Sequence, residues 1–160
     1  MGQRSQRYGE GRLVNSDSSC YTGQLYKDQF SSQGVLEHFS DNPYKRYWLE
    51  GQKHGYGRFE YASGDVYEGQ WEEDLRQGRG VLRCSDGRVY RGFWMNDNKH
   101  GSGNESLPDG TVYEGSWDNG LKHGTFTVTH PWNRRRQETW VKGTRELGYL
   151  EWVESFFLGG

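Results

Sequence analysis

Large aromatic residues alternate with small or polar ones at a period of two, and the alternation recurs along the chain. Tyr67, Gly69 and Trp71 fall on one side of an extended segment while Val66, Glu68 and Gln70 fall on the other, as expected of a β-strand with one apolar face. In the run that follows, Gly78, Gly80, Leu82 and Cys84 alternate with Arg79, Val81 and Arg83. Each pair of runs predicts a β-hairpin, and Asp-Gly at 86–87 and 109–110 predicts short-loop turns.

The hairpins follow one ruler. Tyr21, Tyr44, Tyr67, Tyr90 and Tyr113 are 23 residues apart; four residues after each stands Leu25, Trp48, Trp71, Trp94 or Trp117, with Trp140 one period further on. Glycine keeps the same period two, eleven and thirteen residues after the tyrosine, as at Gly69, Gly78 and Gly80. Glycines beside a ring and on the neighbouring strand leave slots in which the ring packs. An isolated hairpin is marginal in water, so successive units must pair edge to edge. The expected fold is all-β: an elongated single-layer antiparallel meander of stacked 23-residue hairpins over residues 1–143, with about five full units and partial units at the ends. Arg136 and Glu138 replace tyrosine and glycine in the last unit, while Phe126 fills a glycine slot in the fifth. Beyond it, Leu147, Leu150, Val153 and Phe157 at three-to-four-residue spacing predict an amphipathic helix within 144–160 that caps the open edge of the array.

"YEGQW" at 67–71 with "QGRG" at 77–80, and "YEGSW" at 113–117 with "KHG" at 122–124, resemble the MORN repeat (membrane occupation and recognition nexus). The resemblance covers most of the chain and implies an elongated β-array. It also implies a binding role in cytoskeletal, ciliary or membrane-associated assemblies, with phospholipid as the alternative partner from which the family takes its name.

Composition narrows the function classes. Only 31% of the 160 residues are hydrophobic and half of those are aromatic, so order must come from the packing of 25 Phe, Trp and Tyr rings. A formal net charge of −2, with both signs interspersed, supplies no field for nucleic acid. Cys20 and Cys84 have no paired spacing and the first residues are polar, which predicts a cytoplasmic protein.

Catalytic and metal chemistry find little support. His54, His100 and His123 share one repeat position, but equivalent positions on adjacent hairpins are about 9.6 Å apart, too far to ligate one ion. Glu68 and Glu114 are farther apart still and cannot act as an acid and base pair. No catalytic residue, metal or cofactor is expected, and the chain is read as a non-enzymatic scaffold. Its expected partner is a peptide or helix of another protein, held along the aromatic face by Tyr44, Trp48, Tyr67, Trp71, Tyr90, Trp94, Tyr113 and Trp117; homodimerisation through the C-terminal helix is an alternative. Arg134, Arg135 and Arg136, the one basic run, are the candidate contact for a lipid head group or an acidic partner, against the plainer reading of a solvated loop.

Overall fold

A computed structural model describes residues 6–14, 16, 18–37, 44–49 and 51–146. It contains the strands β1 (Gly9–Val14), β2 (Cys20–Tyr26), β3 (Gln29–Glu37), β4 (Tyr44–Leu49), β5 (Gln52–Glu60), β6 (Val66–Glu72), β7 (Leu75–Arg83), β8 (Val89–Met95), β9 (Asn98–Ser106), β10 (Val112–Asp118), β11 (Leu121–Lys122), β12 (Gly124–His130), β13 (Arg134–Val141) and β14 (Thr144–Glu146). They form one sheet in which spatial order follows chain order, with β11 and β12 both pairing β10. The described pairings are antiparallel. The expected meander is present. The expected helix is not seen in 144–146, which are strand β14 paired with β13; its remainder lies outside the described residues.

Hairpin turns within units are not made by Asp-Gly. Two residues with left-handed backbone connect the strands instead, as at Glu73 and Asp74 (φ 49° and 68°) and at Asn96 and Asp97 (φ 48° and 66°), the geometry that matches the twist of a tight hairpin. Asp-Gly lies in the connections between units, such as residues 84–88, where Cys84 donates its N–H to the Arg88 carbonyl and Gly87 donates to Cys84.

The two glycine series thirteen and two residues after tyrosine form a ladder: Gly57 pairs Gly69, Gly69 pairs Gly80, Gly80 pairs Gly92, Gly92 pairs Gly103 and Gly103 pairs Gly115. The series eleven residues after tyrosine does something else. Gly55, Gly78 and Gly101 have φ of 67°, 67° and 59°, and in the hairpins of Gly78 and Gly101 the register slips just after Gly69 and Gly92. These are β-bulges, which bend a strand and increase its twist. The bulge at Gly78 is held by the Gln70 side chain, whose Oε1 accepts the Arg79 N–H at 2.7 Å.

Hairpin tips are fastened unit to unit. Asp97 donates its N–H to the Arg76 carbonyl at 3.1 Å and its Oδ1 accepts the Arg76 N–H at 2.8 Å. Asp74 and Lys53 repeat the exchange, as do Asp28 and Arg7. Stability therefore rests on contacts between neighbouring repeats.

Candidate functional site

The rings expected to form the binding face are the core. Tyr67 is 0% exposed, Tyr90 1%, Trp117 3%, and Trp71 and Trp94 4% each. Each tyrosine lies along its own strand over the glycine ladder: the Tyr67 and Tyr90 hydroxyls donate to the carbonyls of Gln70 and Phe93, both at 3.0 Å. Tryptophans of adjacent units close over them edge to face, in the order Trp71, Tyr67, Trp94, Tyr90, Trp117 and Phe126, with ring centroids 4.8–5.3 Å apart. A straight single-layer sheet would leave this face open. The bulge-bent hairpins cover it, so Tyr67, Trp71, Tyr90, Trp94 and Trp117 do not present an accessible surface to a partner. Tyr113 is half-buried. Tyr44 and Trp48 stand on β4, and their side chains lie outside the described residues.

A row of cations at the same period escaped the sequence reading. Lys53, Arg76, Lys99, Lys122 and Arg145 are spaced by 23 residues, and the first four lie over aromatic rings: the Arg76 guanidinium is 4.2 Å from the Trp94 centroid, the Lys99 ammonium 4.8 Å from Tyr90, and the Lys122 ammonium 3.1 Å from Tyr113. Such contacts favour the cation over a partly desolvated ring. Burial nevertheless pushes the Lys53 and Lys122 amines below their ordinary range, against the attraction of Asp74 for the first and of Glu105 and Glu138 for the second. Burial raises the Tyr67 and Tyr90 phenols far above theirs.

The opposite face carries an open groove of about 620 Å³ floored by Gly80, Gly92, Gly103 and Gly115. Tyr56 and Phe93, 43% and 40% exposed, stand in its wall. Glu68, Arg91 and Glu114 line it from equivalent positions in three successive units, so charge alternates along it. Arg79 stacks on Phe93 at 5.1 Å, and Glu68 is paired with Arg83 at 3.7 Å. The strand alternation places this row opposite the rings, so the signal was present in the sequence; the groove beneath it required the curvature.

The basic run divides. Arg136 pairs with the buried Glu138 at 2.6 Å, whereas Arg134 and Arg135 are exposed and have no ion pair among the described residues. With Trp132, which the sequence reading passed over, these arginines line a second cavity of about 760 Å³. His54 and His100 lie on β5 and β9, and His123 lies between β11 and β12. The first two are thus four strands apart in the sheet.

This architecture of bulged hairpins on a 23-residue ruler defines a repeat array whose units bury one another's rings. The MORN repeat model matches residues 47–66, 67–87, 90–112 and 113–125, and the chain belongs to the MORN-repeat proteins, a class of interaction modules. Among solved structures, the chain is similar to the SAS-4 TCP domain of Drosophila melanogaster, solved in complex with a proline-rich motif of Ana2. Identity is 13% over 91% of this chain and 96% of that one, with a TM-score of 0.40. A streptogramin B lyase aligns at 12% identity over 84% of this chain and 55% of the other, with a TM-score of 0.23. At these scores neither likeness bears on what this chain binds. No curated protein matches. No helix among the described residues is long and apolar enough to cross a membrane.

Proposed function

We propose that this array is a non-enzymatic scaffold that holds an extended peptide segment of a protein partner in the groove opposite the aromatic ladder. One observation carries the reading: the groove joins a floor of bare glycine backbone to two exposed aromatic side chains, Tyr56 and Phe93, and to charges of both signs. Backbone without side chains lets a second chain approach closely, and exposed aromatics among polar groups favour binding. From β6 to β10 the groove crosses five strands, about 19 Å, which matches about six residue rises of a polyproline II segment, or about seven residues. Arg91 stands between Glu68 and Glu114 at steps of about 9.6 Å, close to the three residues and about 9.3 Å of one polyproline II turn, which returns every third side chain to the same face. The favoured segment therefore carries an acidic residue flanked three positions away on each side by basic ones.

Capture of partners from cell extract on the immobilised chain tests this. The double variant Phe93→Ala with Arg91→Glu alters only groove side chains and should melt with the wild type while losing the captured proteins. Retention of the same proteins by that folded variant would reject the groove as the site.

A further inference from the structure

The connection between β12 and β13 departs from the three before it on its edge of the array. In those three a glycine takes the left-handed backbone, Gly64 at φ 87°, Gly87 at 91° and Gly110 at 87°, and in the β1–β2 connection the small Ser18 takes it at 68°. Here Trp132 takes it, at φ 73°, inside a single 3-10 turn at Pro131–Asn133. A bulky residue there is an outlier, and its ring gains nothing from the fold, since it is 95% exposed. Strain and an exposed indole at one position are the kind of local cost that marks a binding site.

Charge supplies the occupant. Arg134 and Arg135 follow after Asn133, both exposed, while Arg136 is already committed to Glu138. The three connections before it present carboxylates instead, Asp65, Asp86 and Asp109, each accepting a backbone N–H of its own or the next connection, and the arginine they contain, Arg88, is paired with Asp86 at 2.7 Å. A flat anionic surface laid along the edge would meet those three carboxylates. A discrete acidic segment reaching only the last turn meets an indole and two planar guanidiniums, which pair with carboxylates through paired parallel hydrogen bonds.

We infer that the β12–β13 turn is a second binding site, independent of the groove, and that it takes an acidic peptide segment: Arg134 and Arg135 pair with its carboxylates and the Trp132 ring covers its backbone. His130 and Pro131 complete the wall of the cavity. None of the three connections before it places an exposed indole beside two exposed arginines, so the site adds an end-specific contact to an otherwise periodic array.

The test is fluorescence anisotropy of a labelled peptide of alternating glutamate and glycine, titrated with the full chain at low and physiological salt. Binding should weaken with salt. It should fall about tenfold in Arg134→Gln with Arg135→Gln, given up to about fivefold for each exposed ion pair, and by a smaller factor in Trp132→Ala, with unchanged melting temperatures. Arg91→Glu in the groove should leave this binding in place, so failure of one site is distinguishable from failure of the other. Equal binding by the folded double arginine variant would overturn the assignment. So would absence of peptide binding at low salt combined with flotation on phosphatidylserine vesicles that the same variant abolishes, which would make the turn a lipid contact.

Discussion

Replacing Gly103 with alanine tests how a single sheet comes to have a core. A Cβ at this position would lie 2.6 Å from the Tyr90 hydroxyl oxygen and 2.9 Å from two ring carbons, where ordinary contact begins at 3.4 Å. Tyr90 cannot step aside freely, because Trp94 and Trp117 stand against its ring at 5.3 and 5.1 Å between centroids and its hydroxyl is bonded to the Phe93 carbonyl. Overpacking costs about 1–3 kcal/mol, and weakening the hydrogen bond adds about 1 kcal/mol. Alanine recovers about 0.5–1 kcal/mol over glycine within a strand. The net expectation is a loss of about 1–3.5 kcal/mol, read by urea unfolding followed through tryptophan fluorescence. Gly11→Ala is the control: its Cβ would meet only the terminal Cδ1 methyl of Leu25, at 3.3 Å, and stability should hold or rise by up to about 1 kcal/mol. In a Tyr90→Leu background the Gly103→Ala cost should shrink to less than about 1 kcal/mol, because the two positions are coupled through one slot. A Gly103→Ala protein as stable as wild type, or an undiminished cost in the Tyr90→Leu background, refutes the idea that the ring occupies the space glycine leaves.

Trp94→Ala should destabilise the array by about 3–5 kcal/mol by emptying a buried ring position, so loss of binding in this variant would accompany unfolding and would not identify a contact; circular dichroism distinguishes the two. Asp97→Ala removes the acceptor of the Arg76 N–H and Nε and should lower stability by about 1 kcal/mol, measured by the same urea titration. Stability should also fall with alkali. Burial raises the Tyr21, Tyr61, Tyr67, Tyr90 and Tyr113 phenols in the folded chain. Their contribution is intact below the ordinary phenol range near pH 10 and is lost as pH rises above it, when the unfolded chain ionises first. The lowered Lys53 and Lys122 amines act with opposite sign over a neighbouring range but are fewer. Spectrophotometric titration near 295 nm should show tyrosines that ionise only as the array unfolds, and ionisation of every tyrosine near pH 10 with the fold intact would contradict this.

Much of the fold was legible in period and phase. The 23-residue ruler placed Tyr67, Tyr90 and their glycines correctly, and side-chain alternation put Glu68 on the reverse face. What alternation cannot encode is curvature. Gly78 and Gly80 are both glycines two positions apart, and only the left-handed φ of Gly78 makes one a bend and the other a slot. A single layer with no second sheet reads as an uncovered aromatic face, and that is why the sequence alone assigns Tyr67, Trp71 and Trp94 to a partner. The cation row failed for a different reason. Lys53, Arg76, Lys99 and Lys122 sit on the ruler as plainly as the tyrosines do, but charges read as solvated unless rings are known to lie beneath their stems.

The fifth repeat separates the rule from its usual realisation. Phe126 stands at a position held by glycine in the preceding repeats, which on a fixed template would break the ladder. Instead its ring lies where a Cβ on Gly115 would come within 2.7 Å, fully buried, and it continues the edge-to-face series from Trp117 at 4.8 Å. Tyr113 is displaced, half-buried beneath the Lys122 ammonium, with Trp140 at 6.3 Å. The array thus requires a ring over bare backbone, while the strand that supplies it can change. Once Phe126 closes the ladder, β13 no longer needs a tyrosine in the slot. In its place stands Arg136, whose guanidinium pairs with the buried Glu138 at 2.6 Å.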